Sequence, residues 1–246
     1  MSNVLEPPAV SPAIQLLPPA TAPRCGINIA GEAFIPDWIC DLASFRRWAD
    51  SEEFPSRGRF SFLQGQLWVD LAMEQLFTHN QVKTKFSAAL SQLVDAENNG
   101  YFFPDGVRLS HPIADLSSEP DAVFVSYESI RQNKVKLVRG QLSGYVELEG
   151  SPELVVEIVS SSSVGKDTKL LRDLYAQAGI EEYWLIDARS QSPSMAILRL
   201  TSGSYQPAPQ TVAGHFSQVL SRSVLLIQET DPLDNPRYLF RMTAAS

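Results

Sequence analysis

The sequence predicts an α/β fold: a mixed central sheet flanked by helices and extended by extra β-hairpins. Three observations predict it. The run Leu154 to Ser160 (LVVEIVS) is almost wholly apolar, as expected of a strand buried on both faces in the middle of a sheet. A helical stripe follows, with Leu170, Leu171, Leu174, Tyr175 and Ala178 on one side, Asp167 as its cap and Gly179 just past its end. The strand Glu182 to Asp187 (EYWLID) comes next. Strand, helix and strand in so short a span make a βαβ-like unit, in which the helix crosses between two central strands.

The other elements follow in chain order. Residues 1–24 contain six prolines, a density that blocks helix and ladder hydrogen bonds, so they read as a flexible or extended tail. Residues 25–246 then read as a single domain. Ile39, Leu42, Phe45 and Trp48 recur every third residue and mark a short amphipathic helix. Two β-rich runs flank Gln64-Gly65 and predict a hairpin. Thr78 reads as the start of a helix whose stripe is Val82, Phe86, Leu90, Leu93 and Val94, ending at Gly100. Gly106 to Leu109 and Ala122 to Ser126 read as strands, with a turn or short helix over Tyr127 to Asn133. Val135 to Gly140 and Tyr145 to Gly150 form a second hairpin, and strands with turns fill the chain from Met195 onward.

Composition bounds the function. The chain has 246 residues, 44% hydrophobic and 20% charged, enough for a large core. Its net charge of −8 argues against a passive DNA-binding module, which shows a basic surplus. It does not exclude an enzyme that uses a divalent metal, because carboxylates are the ligands such an ion takes. Two cysteines, Cys25 and Cys40, with no secretory pattern before them, point to a reducing compartment. No apolar run is long enough to span a membrane, so a cytoplasmic protein is expected.

The chemistry centres on three residues. Glu157 lies among Leu154, Val155, Val156, Ile158 and Val159, where a carboxylate is costly unless paired or bound to metal. Asp121 follows Pro120 and opens an apolar strand, so it is either a turn carboxylate or a second ligand. Two adjacent strands that each point a carboxylate at one cation give the minimum kit for phosphodiester hydrolysis with Mg²⁺ or Mn²⁺. Lys169 falls in the first turn of the helix after the Glu157 strand, with Lys166 beside it. A lysine there opposes the helix dipole, so an acidic cluster nearby would explain it. Glu74 is a further candidate ligand. His79 is either structural or a group behind the ligands that touches phosphate. No Ser-His-Asp set, Gly-rich phosphate loop or zinc pattern is present.

Pro120-Asp121 followed by Glu157-Ile158-Val159 resembles the PD-(D/E)xK nuclease superfamily. The usual lysine position is Val159 here, and displacement of the lysine to the following helix puts Lys169 in that role. The segments FLQGQLWVD, THNQVK, SSEPDAVFVS and the long run from Ser151 to Asp187 are similar to the Uma-type family, assigned as restriction endonucleases by fold and motif. The resemblance covers residues 55–245. It implies a restriction-endonuclease-like core, a divalent metal, nucleic acid (DNA first) as substrate and often a homodimer. It assigns Asp121, Glu157 and Lys169 as catalytic, with Asp121, Glu157 and the Ile158 backbone carbonyl holding the metal. Relatives carry Gly-Glu where this chain has Gly65-Gln66, so Gln66 would stand behind the ligands and Glu74 could replace the lost acid. The competing expectation is a nuclease-fold protein of weak or absent activity that serves binding or assembly.

Overall fold

The computed structural model describes residues 25–29, 31–141 and 144–244. The proline-rich segment 1–24 lies outside them. β1 (Gly26–Ile29) and β2 (Ala33–Pro36) pair as an antiparallel ribbon. α1 (Leu42–Ala49) is opened by a reciprocal cap: Asp41 Oδ1 accepts the Ser44 N–H (2.7 Å) and Ser44 Oγ accepts the Asp41 N–H (3.0 Å). Ile39, expected on this helix, therefore precedes it. β3 (Arg59–Leu63) and β4 (Gln66–Asp70) form the predicted hairpin. Its turn residues Gln64 and Gly65 have φ of +50° and +73°, the left-handed pair that a tight hairpin needs.

A turn of π-helix, Leu76–Gln81, runs into α2 (Val82–Glu97). Its cap is Gln75, whose side chain accepts the Phe77 N–H at 2.7 Å; Thr78, expected to start the helix, lies inside the turn. β5 (Gly100–Pro104) was not foreseen, and β6 (Arg108–His111) begins after the predicted Gly106 because Asp105 and Gly106 turn at φ +62° and +64°. β7 (Leu116–Ser118), β8 (Ala122–Ser126), α3 (Tyr127–Arg131), β9 (Val135–Arg139) and β10 (Tyr145–Gly150) follow. β9 and β10 pair antiparallel, as the hairpin reading required.

β11 (Leu154–Ile158) leads into a second π-helical turn, Lys166–Leu170, and then α4 (Leu171–Gln177) and β12 (Glu182–Asp187). β11 and β12 are parallel neighbours, so the βαβ unit is present. β13 (Ser194–Thr201), β14 (Ser204–Pro207), β15 (Gln210–Thr211), β16 (Gly214–Ser217), β17 (Arg222–Thr230) and β18 (Pro236–Ala244) complete the described chain.

The central sheet has the order β14-β13-β12-β11-β8-β5 and is mixed, since β11 runs parallel to β12 and antiparallel to β8. A second mixed sheet has the order β4-β3-β7-β6-β10-β9, and a four-stranded sheet holds β15 to β18. Alternation along the central strands divides the core. Val123, Val125 and Val155 face α4 and the second sheet, packing with Leu174, Leu116 and Leu148. Ala122, Phe124, Leu154 and Val156 face α2 and the four-stranded sheet, packing with Phe86, Leu90 and Val224. Glu157 shares the parity of Val155, so its carboxylate is delivered between the two mixed sheets.

Candidate active site

The site forms where β8 begins and β11 ends. Val156 pairs with Ala122, so the next position sets Asp121 beside Glu157. Opposed residues of an antiparallel pair project on the same face, which brings both carboxylates to one cleft. That cleft encloses about 510 Å³, and its lining includes Asp121, Glu157, Ile158, Glu74, His79 and Lys166. Asp121 is held by the Ile158 N–H, which donates to Oδ2 at 2.8 Å. Glu157 is held by Tyr175, whose hydroxyl donates to Oε1 at 2.8 Å. The tyrosine proton being spent there, Ser118 donates to the Tyr175 oxygen across 3.1 Å.

Both π-helical turns border this cleft. The first carries His79, and the second carries Lys166 and Asp167. Such i→i+5 turns are rare and gather at functional sites, where the widened turn re-aims side chains. Buried His79 bridges two acids: Nε2 lies 3.4 Å from Asp121 Oδ2, and Nδ1 lies 3.5 Å from Glu74 Oε2. Ligand atoms of Glu74, His79 and Asp121 all lie within 4.8 Å of one another.

Three cations enter from different elements. Arg59, on β3, donates from Nη1 to Asp121 Oδ1 (2.9 Å) and from Nη2 to Glu74 Oε1 (2.7 Å). The same Nη2 lies 3.3 Å from Asp105 Oδ1. Lys83, on α2, donates to Glu74 and to Asp105 Oδ2 (2.8 Å). Lys166 Nζ lies 3.5 Å from Asp167 Oδ1.

The structure brings together some of the expected residues and not others. Asp121, Glu157, Ile158, Glu74 and His79 meet in the cleft. Lys169 does not line it; this exposed lysine lines a separate groove of about 550 Å³ with Arg172 and Tyr205. Lys166 takes the place beside the carboxylates. Asp167, expected as a helix cap, makes no cap bond; it is buried and accepts from Ser163 Oγ. Gln66 is exposed at the start of β4 and is absent from the cleft lining. Arg59, Asp105 and Lys83 escaped the sequence reading. An arginine in an alternating strand has the pattern of a solvent-facing residue, and Asp105 sits in a turn where aspartate is ordinary. Only the unusually low exposure of a lysine on α2 marks Lys83, and exposure is not written in the sequence.

The electrostatics separate the two acids. Burial pushes the Glu157 carboxyl well above its ordinary value of 4.5; Asp167 and Asp121 add to this, and Lys166 and Tyr175 offset it only in part. Burial also acts upward on Asp121, yet His79, Arg59 and the Ile158 N–H outweigh it and hold this acid far below 3.8. His79 would be lowered by burial, but Asp121 and Glu74 raise it above 6.5. Lys166 is raised despite burial by Glu157 and Asp167. A depressed carboxyl binds fewer protons in the folded than in the unfolded chain, so its stabilisation is present above 3.8 and is lost as the pH falls below it. Thermal melts from pH 5 to pH 2 are therefore expected to show a steep acid limb that Asp121→Asn flattens. An identical limb in the variant would detach Asp121 from acid unfolding.

The donor set fits a divalent cation. Five carboxylates line the cleft (Asp70, Glu74, Asp121, Glu157 and Asp167) against the cations Arg59, Lys166 and Arg189, leaving an acidic surplus. Among the described residues, the buried atoms His79 Nδ1 and Asp167 Oδ1 have no hydrogen-bond partner and only an ion-pair neighbour at 3.5 Å each. Oxygen ligands with one imidazole are a donor set that a divalent cation takes.

This arrangement of a mixed sheet with an acidic cleft at the end of two adjacent strands is a restriction-endonuclease-like nuclease fold. The structure is similar to a crystal structure from Anabaena variabilis described as "a putative nuclease belonging to DUF820", with a TM-score of 0.51 at 16% identity over 70% of this chain and 86% of that one. The chain belongs to the Uma2 family, described as "Putative restriction endonuclease", whose model matches residues 42–226. The match thus takes in α1, upstream of the segment on which the sequence resemblance rests, and stops within β17. No curated protein matches the chain. No helix among the described residues is long and apolar enough to cross a membrane.

Proposed function

We propose that this protein is a metal-dependent endonuclease that hydrolyses phosphodiester bonds, with DNA as the first substrate to test. The observation that carries the reading is the placement of Asp121 directly across from Glu157 on neighbouring strands, with Lys166 lining the same cleft. Asp121, Glu157 and the Ile158 carbonyl would hold Mg²⁺ or Mn²⁺, with Glu74 and His79 as further donors. When bound, such an ion lowers the pKa of a coordinated water and neutralises phosphate charge. Lys166 orients the attacking water and stabilises charge gathering on the phosphoryl oxygens. Tyr175 and the Ile158 N–H fix the two acids so that neither must reorganise. One domain from residue 25 onward would carry the site, and a homodimer would set two sites on a duplex.

Mn²⁺ at about 100 times its dissociation constant is expected to stabilise the fold by about 2.7 kcal/mol. For a domain of this size that raises the Tm by about 5–10 °C. Supercoiled plasmid should be nicked under the same conditions, and Asp121→Ala should remove both effects. Absence of stabilisation together with absence of nicking would leave the binding or assembly reading in its place.

A further inference from the structure

Arg59 stands in an unusual position for a residue of a metal-dependent site. Its guanidinium holds Asp121 Oδ1 through Nη1 and Glu74 Oε1 through Nη2, so it spans two of the proposed ligands. The other Asp121 oxygen accepts the Ile158 N–H and faces His79. Asp121 Oδ1 is therefore the oxygen left for a cation, and Arg59 is the cation on it. Lys83 is less suited to that place: it is held by Glu74 and Asp105, and it stands 3.9 Å from Asp121 Oδ1.

Arg59 also has somewhere to go. Its side chain is 26% exposed, and it lines both the main cleft and an adjoining recess of about 80 Å³ shared with Ser61, Trp68 and Lys166. A guanidinium fork matches the paired oxygens of a phosphate as well as it matches those of a carboxylate. We infer that Arg59 is the exchangeable counter-ion of the site: it releases Asp121 Oδ1 to a divalent cation and turns its guanidinium to a phosphate oxygen of the substrate.

This inference rests on the nuclease reading and goes one step beyond it, assigning one residue two successive partners. Its first consequence concerns binding alone. Removing Arg59 unmasks a unit of negative charge at contact distance, so Arg59→Met should bind Mn²⁺ at least about tenfold tighter than the parent. Its second consequence concerns the substrate. With Mn²⁺ saturating, the variant should nick plasmid at least about 100-fold more slowly, as expected when one charge-stabilising donor is lost.

Mn²⁺ affinity is read from the loss of the free-ion paramagnetic resonance signal, with circular dichroism as a check on folding. Arg59→Lys provides a second arm if the methionine variant folds poorly. It keeps the charge but loses the planar two-armed fork that fits Asp121 and Glu74, so it should bind Mn²⁺ with an affinity between parent and Arg59→Met. Adding Asp121→Asn to either variant should abolish the gain. Equal or weaker Mn²⁺ binding by the Arg59 variants, in a parent that binds Mn²⁺ and nicks DNA, overturns the counter-ion role and leaves the nuclease reading standing. Failure of the parent itself to bind Mn²⁺ overturns both.

Discussion

Glu157→Gln is expected to melt at a higher temperature than the parent at pH 7 and to reduce cleavage to the no-enzyme level. Glu157 is buried, and burial with two neighbouring acids raises its carboxyl well above 4.5. In its charged form the carboxyl therefore opposes folding. Glutamine keeps the shape and still accepts the Tyr175 hydroxyl bond. Each pH unit by which a carboxyl is raised costs about 1.4 kcal/mol of stability once it ionises, a cost that an amide does not carry. Each kcal/mol shifts the Tm of a domain this size by about 2–4 °C. The sign of the pH dependence follows from linkage. A carboxyl raised in the folded state binds more protons there than in the unfolded chain, so stability falls as the pH rises above 4.5. The gap between variant and parent should therefore widen from pH 4 to pH 7 in paired melts. A variant that melts below the parent at pH 7 would mean that Glu157 stabilises the fold as an ion pair.

Lys166→Ala is expected to lower cleavage by about 100- to 1,000-fold, the usual loss when a donor aimed at developing charge is removed. Lys169→Ala should stay within about twofold of the parent, as for an exposed side chain outside the cleft. Initial rates of plasmid nicking at saturating Mn²⁺ separate the two. Melts of both variants show whether any loss arises from unfolding. Full activity in Lys166→Ala with loss in Lys169→Ala would return the catalytic role to the later lysine.

The two lysines mark the boundary of what the sequence makes legible. Glu157 stood out because a carboxylate inside LVVEIVS contradicts its neighbours, and that contradiction is visible one residue at a time. Asp121 followed from the strand it opens. The βαβ unit followed from periodicity, and both mixed-sheet strands appeared where the apolar runs placed them. Both Lys166 and Lys169 are candidates from the sequence, and only the fold separates them, because an ordinary α-helix after β11 does not tell which one lines the cleft. The chain there takes an i→i+5 turn, which winds less per residue than an α-helix and so sets residues three apart on more widely separated faces. Lys166 is thereby left on the cleft side and Lys169 on the exposed side. Nothing in KDTKL announces a π turn. Arg59, Asp105 and Lys83 were illegible for another reason. They lie 62, 16 and 38 positions from Asp121 and meet it only once the hairpin, the turn before β6 and α2 have packed.

The chain of hydroxyls behind Glu157 links layers that share no backbone pairing. Ser118 belongs to the second sheet, Tyr175 to the crossover helix and Glu157 to the central sheet. The aim of one acid is thus set by the spacing of three structural layers. Leu116 and Leu174, packed in the seam between those layers, therefore help to set where that acid points. Thinning that seam would slacken the carboxylate without touching it.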